Sequence, residues 1–203
     1  MKKEKRLITA KMEVEETRSD GEVEKSKIIG YGARFNELSE VLYFFREKIE
    51  PGAFKDALEK SDVRALINHD PNHVLGRTKS GTLTLIEDEV GLRYEIDPPD
   101  TSYANDLLVS IKRGDITQSS FAFTVSKDGE SWDESGDIPI RTIHKFDEIF
   151  DVSPVTYPAY ESTSVGARSM VDVGLEAGLD IPAINSVLMK AKRGLPFNKS
   201  DRD

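Results

Sequence analysis

From Ile8 to Val14 the apolar residues Ile8, Ala10, Met12 and Val14 alternate with Thr9, Lys11 and Glu13, the two-residue period of a half-buried strand. The polar stretch Thr17 to Lys27 reads as a loop or hairpin tip. A second strand is predicted over Lys27 to Phe35, where Gly30 and Gly32 remove side chains and point to a bulge or a close backbone approach. Glu50-Pro51-Gly52 then punctuates the chain. Beyond it Ala53, Phe54, Ala57 and Leu58 recur at helical spacing, with Pro51 near the start, where its missing N–H matters least.

Val63 to Ile67 reads as a buried strand ending at Asn68-His69-Asp70-Pro71, and Pro71 is expected to bias Asp70 away from helical dihedrals and to stop further pairing. Thr82 to Ile86 and Leu92 to Ile96 flank the acidic turn Glu87-Asp88-Glu89 as a hairpin. Asp100, Thr101 or Ser102 can cap a helix that carries Tyr103, Leu107, Leu108 and Ile111 on one side, with Lys112 and Arg113 in its last turn and Gly114 after it. Strands return at Ser120 to Val125 and at Ile138 to Val155, separated by an acidic loop around Asp128-Gly129 and Asp133-Glu134. Many short strands and few helices predict an α+β, mainly β fold.

Past Arg168 the pattern changes. Asp180 to Arg193 can form one amphipathic helix with Ile181, Ile184, Leu188 and Ala191 on its apolar side, followed by a polar end. The expected division is a domain over 1–168 and an appended tail over 169–203. The full length of 203 residues suits one domain with such an extension.

Composition narrows the function. Lys and Arg total 28 against 37 Asp and Glu, a net charge of −9, which disfavours a broad phosphate-binding surface, so nucleic acid is not expected as a partner. Cysteine is absent, which excludes disulfides, a thiol nucleophile and thiolate zinc sites, and fits a reducing compartment. The start MKKEKRLITA is basic but alternates apolar and charged residues instead of forming a signal peptide's apolar run, and nothing approaches transmembrane length. A cytosolic protein with no membrane partner is expected.

Histidines are few: His69, His73 and His144. A serine hydroxyl is a poor nucleophile until a neighbouring base accepts its proton, and that base works best when a third group fixes its tautomer. His69 at a strand end and Ser120 shortly after a Gly-bounded helix both occupy punctuated positions, yet on the residues alone a hydrogen-bonded structural histidine is the more ordinary reading of His69. His69 and His73 are four apart, the spacing of two metal ligands on one helical face, but Pro71, Asn68, Asn72 and Gly76 argue against a helix there, so neither metal nor cofactor is expected. His144, within strand-like Arg141 to Phe146, decorates a solvated face or serves as a third member of a triad. A Gly-x-Ser-x-Gly elbow is absent.

Five blocks in order carry a resemblance. They are Glu50-Pro51-Gly52-Ala53-Phe54; Asn68-His69-Asp70 followed by Val74-Leu75-Gly76-Arg77-Thr78; Glu87-Asp88-Glu89-Val90-Gly91-Leu92; Arg113-Gly114-Asp115 leading to Ser120-Phe121-Ala122-Phe123; and Asp151-Val152-Ser153-Pro154-Val155-Thr156-Tyr157-Pro158-Ala159. Over about 25–168 the chain resembles the capsid-maturation (prohead) proteases of tailed double-stranded DNA phages and prophages, relatives of the herpesvirus assembly proteases.

The resemblance implies a compact herpesvirus-protease-like β-barrel flanked by a few helices, and a serine endopeptidase. It implies His69 as general base and Ser120 as nucleophile, with Ser119 the local ambiguity. The acidic position before Val-Ser-Pro-Val-Thr gives Asp151 as the third member, with Glu148 and His144 as fallbacks. By analogy the turn Pro158-Ala159-Tyr160 supplies oxyanion donors at Ala159 and Tyr160. Thr117-Gln118-Ser119 departs from the glycine and methionine frequent before the family's nucleophile. Implied partners are the major capsid protein and scaffold segments as substrates, cleaved inside the immature capsid in the host bacterial cytoplasm; self-processing of the tail and a homodimer are further expectations. The rival readings are a non-catalytic capsid-assembly or scaffold-binding protein on the same fold, and an esterase-like hydrolase using the same serine.

Overall fold

Short alternating segments separated by turn residues favour strands over helices. The computed structural model describes residues 3–9, 12–19, 22–42, 44–157, 175 and 178, and among these residues it contains twelve strands. In chain order they are β1 (Glu4–Thr9), β2 (Glu13–Ser19), β3 (Glu22–Arg34), β4 (Arg46–Ile49), β5 (Arg64–Ile67), β6 (Asp70–Arg77), β7 (Leu83–Glu87), β8 (Gly91–Ile96), β9 (Gln118–Thr124), β10 (Glu130–Asp133), β11 (Ile140–Ile143) and β12 (Glu148–Val155). Helix α1 (Lys55–Lys60) lies between β4 and β5, and α2 (Ser102–Arg113) between β8 and β9.

The strands form a five-stranded sheet in the order β1-β9-β12-β5-β6, a four-stranded sheet β2-β3-β8-β7 and a three-stranded sheet β10-β11-β4. Pairing is antiparallel except at β12–β5 and β11–β4. The mainly β expectation therefore holds, and these pairings among the described residues do not link the strands into one closed ring.

The core lies between the five- and four-stranded sheets. A methyl added at Gly32 of β3 would meet Val152 of β12 and Leu92 of β8, so the two sheets touch there. Phe121 and Phe123 of β9 stack at 4.7 Å between centroids, and Phe54 and Phe146 stack at 4.4 Å against them, a buried aromatic cluster that fixes α1 over the sheet. Helix α2 buries Ala104, Leu107, Leu108 and Ile111, packs on β2 and ends at Gly114, whose φ of 82° is the left-handed cap that glycine takes at no steric cost. Thr101 occupies the cap position at its start but makes no capping bond.

Several expectations are corrected. The predicted strand over Ile8 to Val14 straddles the end of β1 and the start of β2, and β1 escapes apolar patterning because its inward residues are Glu4 and Arg6. Thr17 to Lys27 belongs mostly to the β2–β3 hairpin, the two strands pairing as far as Ser19↔Glu22. The acidic loop after β9 contains β10, held by pairing to β11 and by Trp132 packed edge-on against Phe45 at 5.0 Å. Ile138 to Val155 is two strands with a break between Ile143 and Glu148. Pro71 does not stop pairing: it sits exposed in β6, an edge strand, where a missing N–H costs no ladder bond on the open side. The predicted bulge is present, as a register shift between Tyr31 and Ala33 at Gly32. At Gly30 an added Cβ would lie 2.5 Å from the Tyr94 hydroxyl, the close approach that glycine permits. The proposed helix over Asp180 to Arg193 and the tail lie outside the described residues, apart from the exposed Leu175 and Gly178.

β1 is held by charge. Arg6 donates through Nε to Glu47 at 2.7 Å and through Nη2 to Glu4 at 2.6 Å, while Arg141 donates to Glu4 at 2.8 and 3.0 Å and to Glu47 at 3.0 Å, and also pairs with Glu130. Glu4, Arg6, Glu47 and Arg141 are all buried, so this network binds the first strand to β4 and β11 through groups that water does not reach. Among the described residues no helix is long and apolar enough to cross a membrane.

Candidate active site

The period of two decides which serine of β9 faces which way. Ser119, Phe121 and Phe123 share the core face, and Ser119 is hydrogen-bonded to the Tyr94 hydroxyl at 2.6 Å. Ser120 and Ala122 share the other face. In register beside them on β12 are Ser153, opposite Ser120, and Asp151, opposite Ala122. Alternation along β9 thus turns Ser120 toward His69 and Ser119 toward Tyr94.

His69 reaches that face from a tight turn. Ile67 and Asp70 pair across the two residues Asn68 and His69, whose φ values of 54° and 59° are both left-handed, the form a two-residue hairpin takes when its twist must match its strands. Asparagine tolerates that conformation better than most residues, and Asn68 is tied down further. Its backbone N–H donates to the Pro154 carbonyl at 3.0 Å, and its Oδ1 accepts the Thr156 N–H at 2.9 Å. The backbone N–H of His69 donates to Ser153 Oγ at 3.3 Å. The tip is therefore docked along the end of β12.

The result is one chain of polar contacts. His69 Nε2 lies 2.7 Å from Ser120 Oγ, and His69 Nδ1 is hydrogen-bonded to Asp151 Oδ1. Asp151 also accepts a bond from Ser153 Oγ at 3.0 Å on Oδ1, and its Oδ2 pairs with Lys3 Nζ at 3.3 Å. The side chains of His69 and Asp151 are 8% and 3% exposed and Ser120 is 1% exposed. Burial works against the charge on Asp151, but the His69 ring, the Lys3 ammonium and the Ser153 hydroxyl outweigh it and hold its pKa below the usual carboxylate value. An ionised carboxylate can only accept, so Nδ1 of His69 carries the hydrogen, and in the neutral ring Nε2 is left to accept from Ser120.

The other sequence candidates sit elsewhere. His144 bonds Glu50 Oε2 at 2.8 Å through Nδ1 and Ser131 Oγ at 2.7 Å through Nε2, on an exposed surface, so it is not the third partner of His69. Glu148 is exposed at the start of β12, paired in register with Thr124, and does not reach His69 either. His73, on β6 rather than a helix, bonds Asp70 Oδ2 at 2.9 Å and packs edge-on against Tyr103, so it shares no ligand face with His69. Ala159 and Tyr160 lie outside the described residues. Sequence reasoning missed Ser153 and Lys3 as partners of Asp151. Ser153 had a signal, since it stands two residues after Asp151 on a predicted strand and must share its face.

A hydroxyl, an imidazole and a carboxylate in series are the groups of a serine hydrolase. The model of the family described as caudovirus prohead serine protease matches residues 11–175, and the chain belongs to that family. Its function is accordingly that of a capsid-processing protease of tailed phages. Among solved structures, the bacteriophage T4 capsid assembly protease is similar at a TM-score of 0.45 and 11% identity, covering 76% of this chain and 99% of that one. No curated protein matches.

Proposed function

We propose that the chain is an active serine endopeptidase in which Ser120 is the nucleophile, His69 the general base and Asp151 the group that orients it. The observation that carries this reading is the 2.7 Å approach of His69 Nε2 to Ser120 Oγ while Nδ1 is engaged by Asp151. The proton of Ser120 passes to Nε2 as Oγ bonds to the scissile carbonyl carbon, and the electron pair of the C=O moves onto oxygen. When the tetrahedral centre collapses the C–N bond breaks, and the leaving amine takes the proton from Nε2. Water then repeats the sequence on the acyl-serine, releasing the acid and restoring the hydroxyl. Asp151 stays ionised throughout and stabilises the imidazolium.

The substrates in this reading are capsid protein and scaffold segments, cut inside the immature shell in the host cytoplasm. Ala159 and Tyr160 are retained as oxyanion donors, the tail over 169–203 as a substrate of the protease itself, a homodimer as the working form, and a barrel like that of the herpesvirus proteases as the arrangement of the sheets. Packing of β3 against β1 and β9 supports that last point. Burial of Ser120 is the observation that favours the non-catalytic alternative, because a peptide must reach the hydroxyl. Co-expression with the capsid protein separates the two readings: the wild type is expected to shorten the capsid protein by mass, and Ser120→Ala to leave it whole. Equal processing by both proteins would sink the assignment.

A further inference from the structure

Ser153 is fully buried, and its one hydroxyl serves two partners on the same side of the imidazole. It accepts the backbone N–H of His69 at 3.3 Å and stands 3.0 Å from Asp151 Oδ1, with His69 Nδ1 at 3.4 Å. The direction of the proton follows from the partners. Asp151 is held ionised and cannot donate, and an amide N–H cannot accept, so the Ser153 hydrogen points to the carboxylate while a lone pair faces the amide.

The two bonds act on different degrees of freedom. The bond from His69 N–H fixes the backbone of a residue held at φ 59°, at the tip of a turn whose Asn68 is tied to Pro154 and Thr156. The bond to Asp151 Oδ1 fixes the rotation of the carboxylate, so that the oxygen facing Nδ1 stays there. Directly across the β9–β12 ladder lies Ser120, so the element that sets the position of Ser153 also sets that of the hydroxyl to be deprotonated.

We propose that Ser153 is a positioning residue for proton transfer: through one hydroxyl it locks both the hairpin tip bearing His69 and the carboxylate that orients the ring. This inference rests on the triad reading above. Removing the hydroxyl leaves the His69 amide N–H without this partner and takes away one of the bonds that hold Asp151, whose carboxylate is then oriented by Lys3 and the ring alone. Displacement of a reacting group by about an ångström can slow the chemical step about a hundredfold.

The test compares wild type, Ser153→Ala and Ser153→Thr in the full chain, first by the rate at which a fluorophosphonate probe labels Ser120 and then by kcat and KM on capsid protein. Ser153→Ala is expected to label about ten- to a hundredfold more slowly, with kcat falling and KM little changed, and Ser153→Thr, which keeps the hydroxyl, to recover most of the rate. Labelling of a folded Ser153→Ala at the wild-type rate, or equal slowing by alanine and threonine at equal Tm, would overturn the proposal. A separate readout needs no activity: the low-field proton resonance of His69 Nδ1–H should move upfield and exchange faster in Ser153→Ala, and an unchanged resonance counts against the proposal. Failure of the wild type to label with that resonance still sensitive to Ser153 would instead bring down the triad's catalytic role and leave the positioning contact standing.

Discussion

Ser153 and Ser120 are cross-strand partners, one on β12 and one on β9, and their hydroxyls flank the same imidazole at its two nitrogens. A single pair in the ladder therefore sets the geometry on both sides of His69. This makes the site largely a property of the sheet, since Ser120, Asp151 and Ser153 all lie on β9 and β12 and His69 comes from a hairpin tip docked on β12.

The roles proposed for the three groups predict graded losses. His69→Ala should lower kcat on capsid protein by about a millionfold, as should Ser120→Ala, whereas Asp151→Asn should cost about ten- to a hundredfold less because the base remains. The double variant Ser120→Ala/His69→Ala should be no slower than either single one, and a further large drop would show the two acting independently.

Arg141 predicts a stability effect. It is 1% exposed and is shared by Glu4, Glu47 and Glu130. Arg141→Ala leaves buried carboxylates with one fewer cation and should cost about 3–5 kcal/mol, read as a shifted midpoint in urea. A midpoint within experimental error of wild type would contradict the burial and pairing described.

Acid should act on the same network. Burial disfavours the charged form of Glu4, but Arg6 and Arg141 outweigh it, so its pKa in the fold lies below the usual 4.5. A carboxylate depressed in the fold contributes stability that is complete above its unfolded value and is lost as pH falls through the folded one. The midpoint of wild type should therefore fall as the pH drops below about 4.5 more steeply than that of Glu4→Gln. Parallel curves for the two proteins would place the acid sensitivity elsewhere.

For the tail, the expected outcome is self-removal. Intact-mass measurement of purified wild type should give a chain shorter than Ser120→Ala, with the missing mass assigned to residues beyond 168. Equal masses at full length would exclude it.

Apolar strands such as β7 and β8 were readable in the sequence, as was α2, whose four buried residues recur at helical spacing and whose end is marked by Gly114, whereas the alternation over Ile8 to Val14 ran across the break between β1 and β2. Charged strands were not. β1 turns Glu4 and Arg6 inward, and a periodicity argument assigns such residues to water unless the partners Glu47 and Arg141, far off in sequence, are already known. The same difficulty hid β10 within an acidic stretch. At the site, His69, Ser120 and Asp151 came from the family resemblance, and the residues alone left His69 open between a structural and a catalytic role. The left-handed turn at Asn68-His69 was hidden by Pro71, which reads as a terminator because the sequence does not show that β6 lies at an edge.

The position of β9 bears on when the protein first becomes competent. Its neighbours in the sheet are β1, from the beginning of the described chain, and β12, from near its end. A ribosome-bound chain must expose Val155 before Ser120 is flanked on both sides, so the proposed site is completed by the last of the described strands. Long-range pairing of this kind also slows folding. In the proposed reading, the nascent chain therefore carries no complete triad until β12 has been made, which spares its own unfolded segments.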